Sequence, residues 1–135
     1  MQPSRRKKIV LIVFGALPGS VYGILALVLM VSSLIVVGRD PILQFSLFLV
    51  SAAGLYGIIS LWWACIRPLT NVVLVGLLLG IVSMTIAALN FLPGIRGLQA
   101  IVWATLAVLP VAAAVYLLWN HFSYQDATKE TGLPD

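Results

Sequence analysis

The side chains that could do chemistry in this chain are few. There is one histidine, His121, one cysteine, Cys65, and four carboxylates, Asp40, Asp126, Glu130 and Asp135. Nucleophilic or acid–base catalysis needs a nucleophile, a base and an orienting group brought within hydrogen-bonding reach. No H-E-x-x-H, phosphate-cradling glycine loop or nucleophile elbow occurs to supply one. A single histidine without ligand-spaced partners is not a metal site. The lone Cys65 excludes an internal disulfide and a C-x-x-C redox pair, and reads as a packing residue. Asp40, beside Arg39, reads as a helix cap. The expectation is therefore no catalytic, cofactor-binding or metal-binding residue, and a protein that is not an enzyme.

Composition says where such a chain can live. Of its 135 residues 61% are hydrophobic and 9% charged, far below the roughly one-quarter charged residues of a soluble domain. That excludes a soluble enzyme, a nucleic-acid-binding domain and a disordered chain. The charges cut the sequence into four uncharged runs of 26 to 30 residues: 9–38, 41–66, 68–95 and 97–125. About 20 apolar residues cross ~30 Å of hydrocarbon as a helix, so each run fits one crossing and not two. None alternates apolar and polar residues as a barrel strand would.

The spacing predicts an all-α membrane protein: one antiparallel bundle of four transmembrane helices over 1–120, near 9–37, 41–66, 70–92 and 98–120. A short, polar, flexible tail over 121–135 follows. The breaks have their own chemistry. Asp40-Pro41 offers an N-cap and a first-turn proline, Pro68 ends the second helix, and Leu92-Pro93-Gly94 ends the third. Six basic residues (Arg5, Arg6, Lys7, Lys8, Arg67, Lys129) fall on one side and two (Arg39, Arg96) on the other. The positive-inside rule then places both termini in the cytoplasm. The basic start opens like a signal peptide, but the apolar run behind it is too long and lacks a cleavage site. It is read as a retained helix. Arg5 to Lys8 also suit anionic lipid headgroups.

Membrane helices gain little by hiding leucine from lipid and associate through small residues and interhelical hydrogen bonds. Such residues form a stripe in every run. The packing or partner-docking candidates are Gly15, Gly19 and Gly23 in the first, Ala53 and Gly57 in the second, and Gly76 and Gly80 in the third. The glycine repeat of the first helix is the strongest candidate for docking another membrane chain. Tyr22, Tyr56, Ser83 and Thr105 fall at similar depths and predict a polar layer near the midplane. Trp62, Trp63, Trp103, Trp119, Phe122 and Tyr124 read as an interfacial aromatic belt. Pro18 and Pro110 lie inside helices and predict kinks.

No ionisable residue lies deep in any run, which argues against a proton-driven pump. The functional expectation is a non-enzymatic polytopic protein of a bacterial inner membrane. It acts by helix association with another membrane component, either as an immunity-type protector against a membrane-inserted toxin or as an accessory or assembly subunit. The partners expected are membrane lipid and another integral membrane protein or such a toxin, with a homo-oligomer allowed and nucleic acid excluded. The alternative is a homo-oligomeric channel or carrier for a small solute or lipid.

Overall fold

The computed structural model describes residues 4–35 and 40–132. They form four long helices: α1 (Arg5–Ile35), α2 (Pro41–Ile66), α3 (Asn71–Phe91) and α4 (Leu98–Thr131). A 3-10 turn, Leu92–Gly94, follows α3, and no strand occurs among the described residues. All four helices are long and apolar enough to cross a membrane. In the most apolar 18-residue stretch of each helix at most 33% is buried within the chain, so much of the leucine, valine and isoleucine faces outward, as lipid allows and water would not.

The helix ends follow local chemistry. Asp40 takes the N-cap position of α2 with Pro41 behind it, although its carboxylate makes no capping bond. The α2 helix stops at Ile66 because Arg67 precedes Pro68. The proline ring pushes Arg67 to extended backbone, φ −125° and ψ 163°. Thr70 opens α3 through its carbonyl, which accepts from Leu74 N–H at 2.9 Å. Gly97 opens α4 at φ +73°, a conformation that favours glycine.

Two boundaries differ from expectation. The α1 helix begins at Arg5, not near residue 9, and Lys8 N–H closes the first turn on the Ser4 carbonyl at 3.0 Å. Its expected end, at 36–37, lies outside the described residues. The α4 helix does not end near residue 120 in a flexible tail but continues to Thr131. Gln125, Ala127, Lys129 and Glu130 are good helix formers, and no breaker intervenes before Gly132. Gln125 meets His121 one turn back at 3.2 Å, and Gly132 then closes the helix in the left-handed conformation at φ +60°. Charge marks the end of an apolar run, and helix propensity does not stop there.

Pro18 acts through a wide turn. Ile12–Ala16 form a π-helical turn in which Leu17 N–H donates to the Ile12 carbonyl, five residues back. Pro18 has no N–H to give, and the wider turn keeps its ring off the preceding carbonyls. Such π-turns interrupt the regular helical ladder.

The α2 helix packs equally extensively on α1 and on α3, and α4 packs on α1 and, less, on α3. Buried side chains gather in one core: Leu11 and Ala16 of α1, Leu61, Ala64 and Cys65 of α2, Val73 and Leu77 of α3, Ala113, Ala114, Leu117 and Leu118 of α4. The core is one-sided. No described residue is buried in α1 beyond Gly23, in α2 before Ser51, in α3 beyond Met84 or in α4 before Ala107. One half of the bundle is packed and the other is open.

Candidate functional site

Two helix backbones meet glycine on glycine, at Gly57 and Gly80. At Gly57 an added Cβ would land on the Gly80 backbone, and one at Gly80 would lie 2.7 Å from Gly57 Cα. Only two residues without side chains let helix backbones meet this way, and weak Cα–H···O contacts and dispersion then hold them. One turn along, Gly76 has no room for a Cβ because Ser60 Oγ and Cβ and the Tyr56 ring fill that space.

The glycine repeat of α1 also faces inward. A Cβ on Gly15 would lie 2.5 Å from Ala113 Cβ, and one on Gly19 would lie 3.3 Å from Pro110 Cβ, with Leu61 and Ile58 behind. Gly23 faces Ile58, with 3.2 Å to its Cδ1. The groove is thus occupied by α4 and α2 of the same chain. Ala53 is only partly buried. The tight position beside it is Gly54, where a Cβ would stand 2.9 Å from Ser83 Oγ. The spacing Gly54, Gly57, Leu61, Ala64 is the helical signal for that face. It was obscured because Ala53, four residues before Gly57, fits a small-residue stripe equally well.

The predicted polar layer divides. Tyr22 Oη donates to the Trp103 carbonyl at 2.7 Å, and its ring meets the Trp103 ring edge-on at 6.0 Å between centroids. Ser83 Oγ donates to the Val50 carbonyl at 2.7 Å and Tyr56 Oη to the Val72 carbonyl at 2.8 Å. Val72 lies in the first turn of α3, so Tyr56 reaches toward a helix end and away from the others. Thr105 is exposed and donates to Ile101 of its own helix at 2.8 Å. These four groups form no connected path. Each hydroxyl is consumed by a backbone carbonyl, which satisfies it and fixes a helix.

A contact that sequence reading missed runs through Trp62. Its Nε1–H donates to Ser20 Oγ at 2.9 Å, and Ser20 Oγ donates to the Ala16 carbonyl at 2.8 Å. Trp62 therefore packs against the core as well as standing at the end of α2. Trp103 is likewise drawn inward by Tyr22. A tryptophan at a helix end reads as interfacial because its indole suits that level, and only the facing Ser20 reveals the other use. Trp63 does lie outward, with the Arg67 guanidinium 4.7 Å over its ring, and Trp119 is exposed.

Between α2, α3 and α4 lies an apolar cleft of about 20 Å³, lined by Gly57, Ile58, Leu77, Gly80, Met84, Pro110 and Ala114 among others. That is room for about one water, without the polar partners a water needs. Cys65 is buried in the core. No three His, Cys, Asp or Glu side chains gather where they could hold a metal ion, among the described residues. The arrangement can fasten helices together. No protein-family model matches the chain, and no curated protein and no solved structure matches it significantly.

Proposed function

We propose that this protein is a multi-pass protein of a bacterial inner membrane, an antiparallel bundle with both termini in the cytoplasm. It works by associating through its helices with another membrane component. That role takes one of two forms: an immunity-type protector against a membrane-inserted toxin, or an accessory or assembly subunit of a membrane complex. The observation that carries the reading is the division of burial. The packed half spends its glycines and cross-helix hydrogen bonds on the chain itself. The open half keeps apolar flanks that its own helices leave uncovered, such as Ile24, Leu34, Phe45 and Leu89.

Conduction has less support. A path for a polar solute needs groups free to replace its hydration. Tyr22, Tyr56 and Ser83 give their hydroxyls to carbonyls, and the central cleft is apolar. The test has two arms. Purification from native membranes in mild detergent should yield one stoichiometric membrane partner, lost in Val28→Trp with Leu34→Trp while the bundle stays folded. The purified protein alone in liposomes should leave ion and solute gradients intact. Selective flux from protein alone, abolished by Ser83→Leu, would replace this reading with the channel.

A further inference from the structure

We propose that the start of α1 is a docking surface for anionic phospholipid: Arg5, Arg6 and Lys7 hold the anionic headgroups, and the apolar face beneath them takes the acyl chains. The surface requires only that the four helices lie in a bilayer, whatever protein partner the bundle has. Three observations carry it. The first is depth. Leu11 of α1 shares one buried cluster with Ala64 and Cys65 near the end of α2, Val73 near the start of α3, and Leu117 and Leu118 of α4. Val73 stands two residues after Asn71, the polar residue that begins α3, so Leu11 lies near the hydrocarbon edge. Exposed Trp63 and Trp119, next in sequence to Ala64 and Leu118, mark the same boundary. At 1.5 Å per residue, Lys7 and Arg5 stand about 6 and 9 Å farther out along the helix. The headgroup region is roughly 5–8 Å deep on each side of the hydrocarbon. Because α1 already begins at Arg5, these cations ride on the helix and are held at phosphate level.

The second is shape. Arg5, Arg6 and Lys7 are exposed. Beneath them Ile9, Val10, Val13, Phe14 and Leu17 are exposed too, each by 46% or more. Arg6 and Val10 are four residues apart and share one face of the helix. The outer side of α1 thus reads cation above apolar surface, the complement of a lipid's phosphate above its chains.

The third is charge. No Asp or Glu precedes Asp40 in the sequence, so α1 carries no carboxylate of its own against these cations. Asp126 and Glu130 stand on the last turns of α4, eight and twelve residues past Leu118. That is about 12 and 18 Å along the helix, farther out than Arg5. Arg67 adds an exposed cation at the same end of the bundle, where the backbone before Pro68 is extended and its guanidinium lies 4.7 Å over the Trp63 ring. An anionic headgroup fits this level better than a zwitterionic one, because each basic residue there attracts its net charge.

Spin-labelled lipids at the protein boundary test this in full-length protein reconstituted in phosphatidylcholine vesicles. Chain-labelled phosphatidylglycerol should be retained against the protein about fivefold over chain-labelled phosphatidylcholine, the gain expected from one basic residue at an anionic surface. Arg5→Gln with Arg6→Gln and Lys7→Gln should bring the two lipids level in protein whose helicity and thermal unfolding are unchanged. Arg6→Gln alone should lower the preference part-way. Arg5→Lys with Arg6→Lys should keep it, and so should Arg96→Gln at the other end of the bundle. Inorganic phosphate at fixed ionic strength should leave it intact. Equal retention of the two lipids by the unmodified chain overturns the proposal. A preference that survives loss of the three cations overturns it as well, by assigning the effect to charge elsewhere. A preference that phosphate abolishes and chloride does not would make the ligand a soluble phosphate, and the docking surface for lipid would fall.

Discussion

In the packed half, Tyr22, Ser83 and Trp62 send hydrogen bonds to another helix. In the open half, Ser33, Ser46 and Asn90 turn back on carbonyls of their own helix. Serine occurs in both sets, and what differs is whether a facing helix comes close enough. It comes close at glycines, at Gly57 on Gly80 and Gly15 on Ala113, and no described residue of the open half makes such a contact. Because lipid is as apolar as leucine, close approach and cross-helix bonds hold a membrane bundle, and apolar area alone does not. A half without such glycine contacts, tied across helices among the described residues only where Tyr22 reaches Trp103 and Ser83 reaches Val50, is held more loosely by its own chain.

The sharpest way to break this contrast is to fill the glycine contact. Gly57→Leu places a side chain where the α3 backbone lies. It should destabilise the detergent-solubilised bundle by about 3 kcal/mol, toward the upper end of overpacking costs. Thermal unfolding measures it, and a loss no larger than that of an exposed substitution would mean that the backbone contact does not hold the bundle. Gly19→Leu should cost less, about 1–3 kcal/mol, because its neighbours Pro110, Leu61 and Ile58 are side chains with some freedom to shift. If that variant keeps full stability but loses a membrane partner, the α1 groove belongs to the partner and not to α4.

Removing single hydrogen bonds should show the same division at smaller scale. Ser83→Ala and Trp62→Phe each take away a cross-helix bond worth about 0.6 kcal/mol in membrane bundles. Thr105→Val removes only a bond to its own helix. The first two should lower the unfolding midpoint measurably and the third should not. Equal effects would show that the hydroxyls act alike and that the division carries no energy. Smallest of all, Leu89→Ala and Leu34→Ala should change stability by less than about 0.5 kcal/mol, as exposed substitutions do. A larger loss would mean that the open half is packed by this chain after all.

The four helices were legible because uncharged length is a coarse signal that tertiary context cannot hide. The α2 and α3 limits followed from Pro41, Pro68 and Pro93, whose backbone chemistry is local. The ends of α1 and α4 were less legible, since Arg5 to Lys8 and Gln125 to Thr131 are polar yet keep good helix propensity. Small residues could be located, but not their partners. Nothing in Gly15, Gly19 and Gly23 distinguishes a groove filled by α4 and α2 from one awaiting another chain. Ala53 and Gly54 fit alternative stripes, and only the position of Ser83 decides between them. The inward use of Trp62 depends on Ser20, more than forty residues away in sequence, which no local pattern connects. The one-sidedness of the core follows the glycines: those inside the described helices, Gly15, Gly19, Gly23, Gly54, Gly57, Gly76 and Gly80, all fall in the packed half.

Topology fixes which side of the membrane the open half faces. Reporters active only outside the cytoplasm should give signal when fused after Asp40 or Gly94 and none after Asp135. Signal from the last would reverse the orientation of the two halves.

The most direct test of the central claim is a residue-by-residue photo-crosslinking scan in native membranes. It compares open-half positions Ile24, Leu34, Phe45, Leu89 and Ile101 with outward-facing positions of the packed half, Phe14, Ile59 and Val75. The account predicts a single protein adduct from a contiguous set of open-half positions, and lipid adducts alone from the packed half. Protein adducts confined to the packed half, or lipid adducts alone at every position, would contradict it.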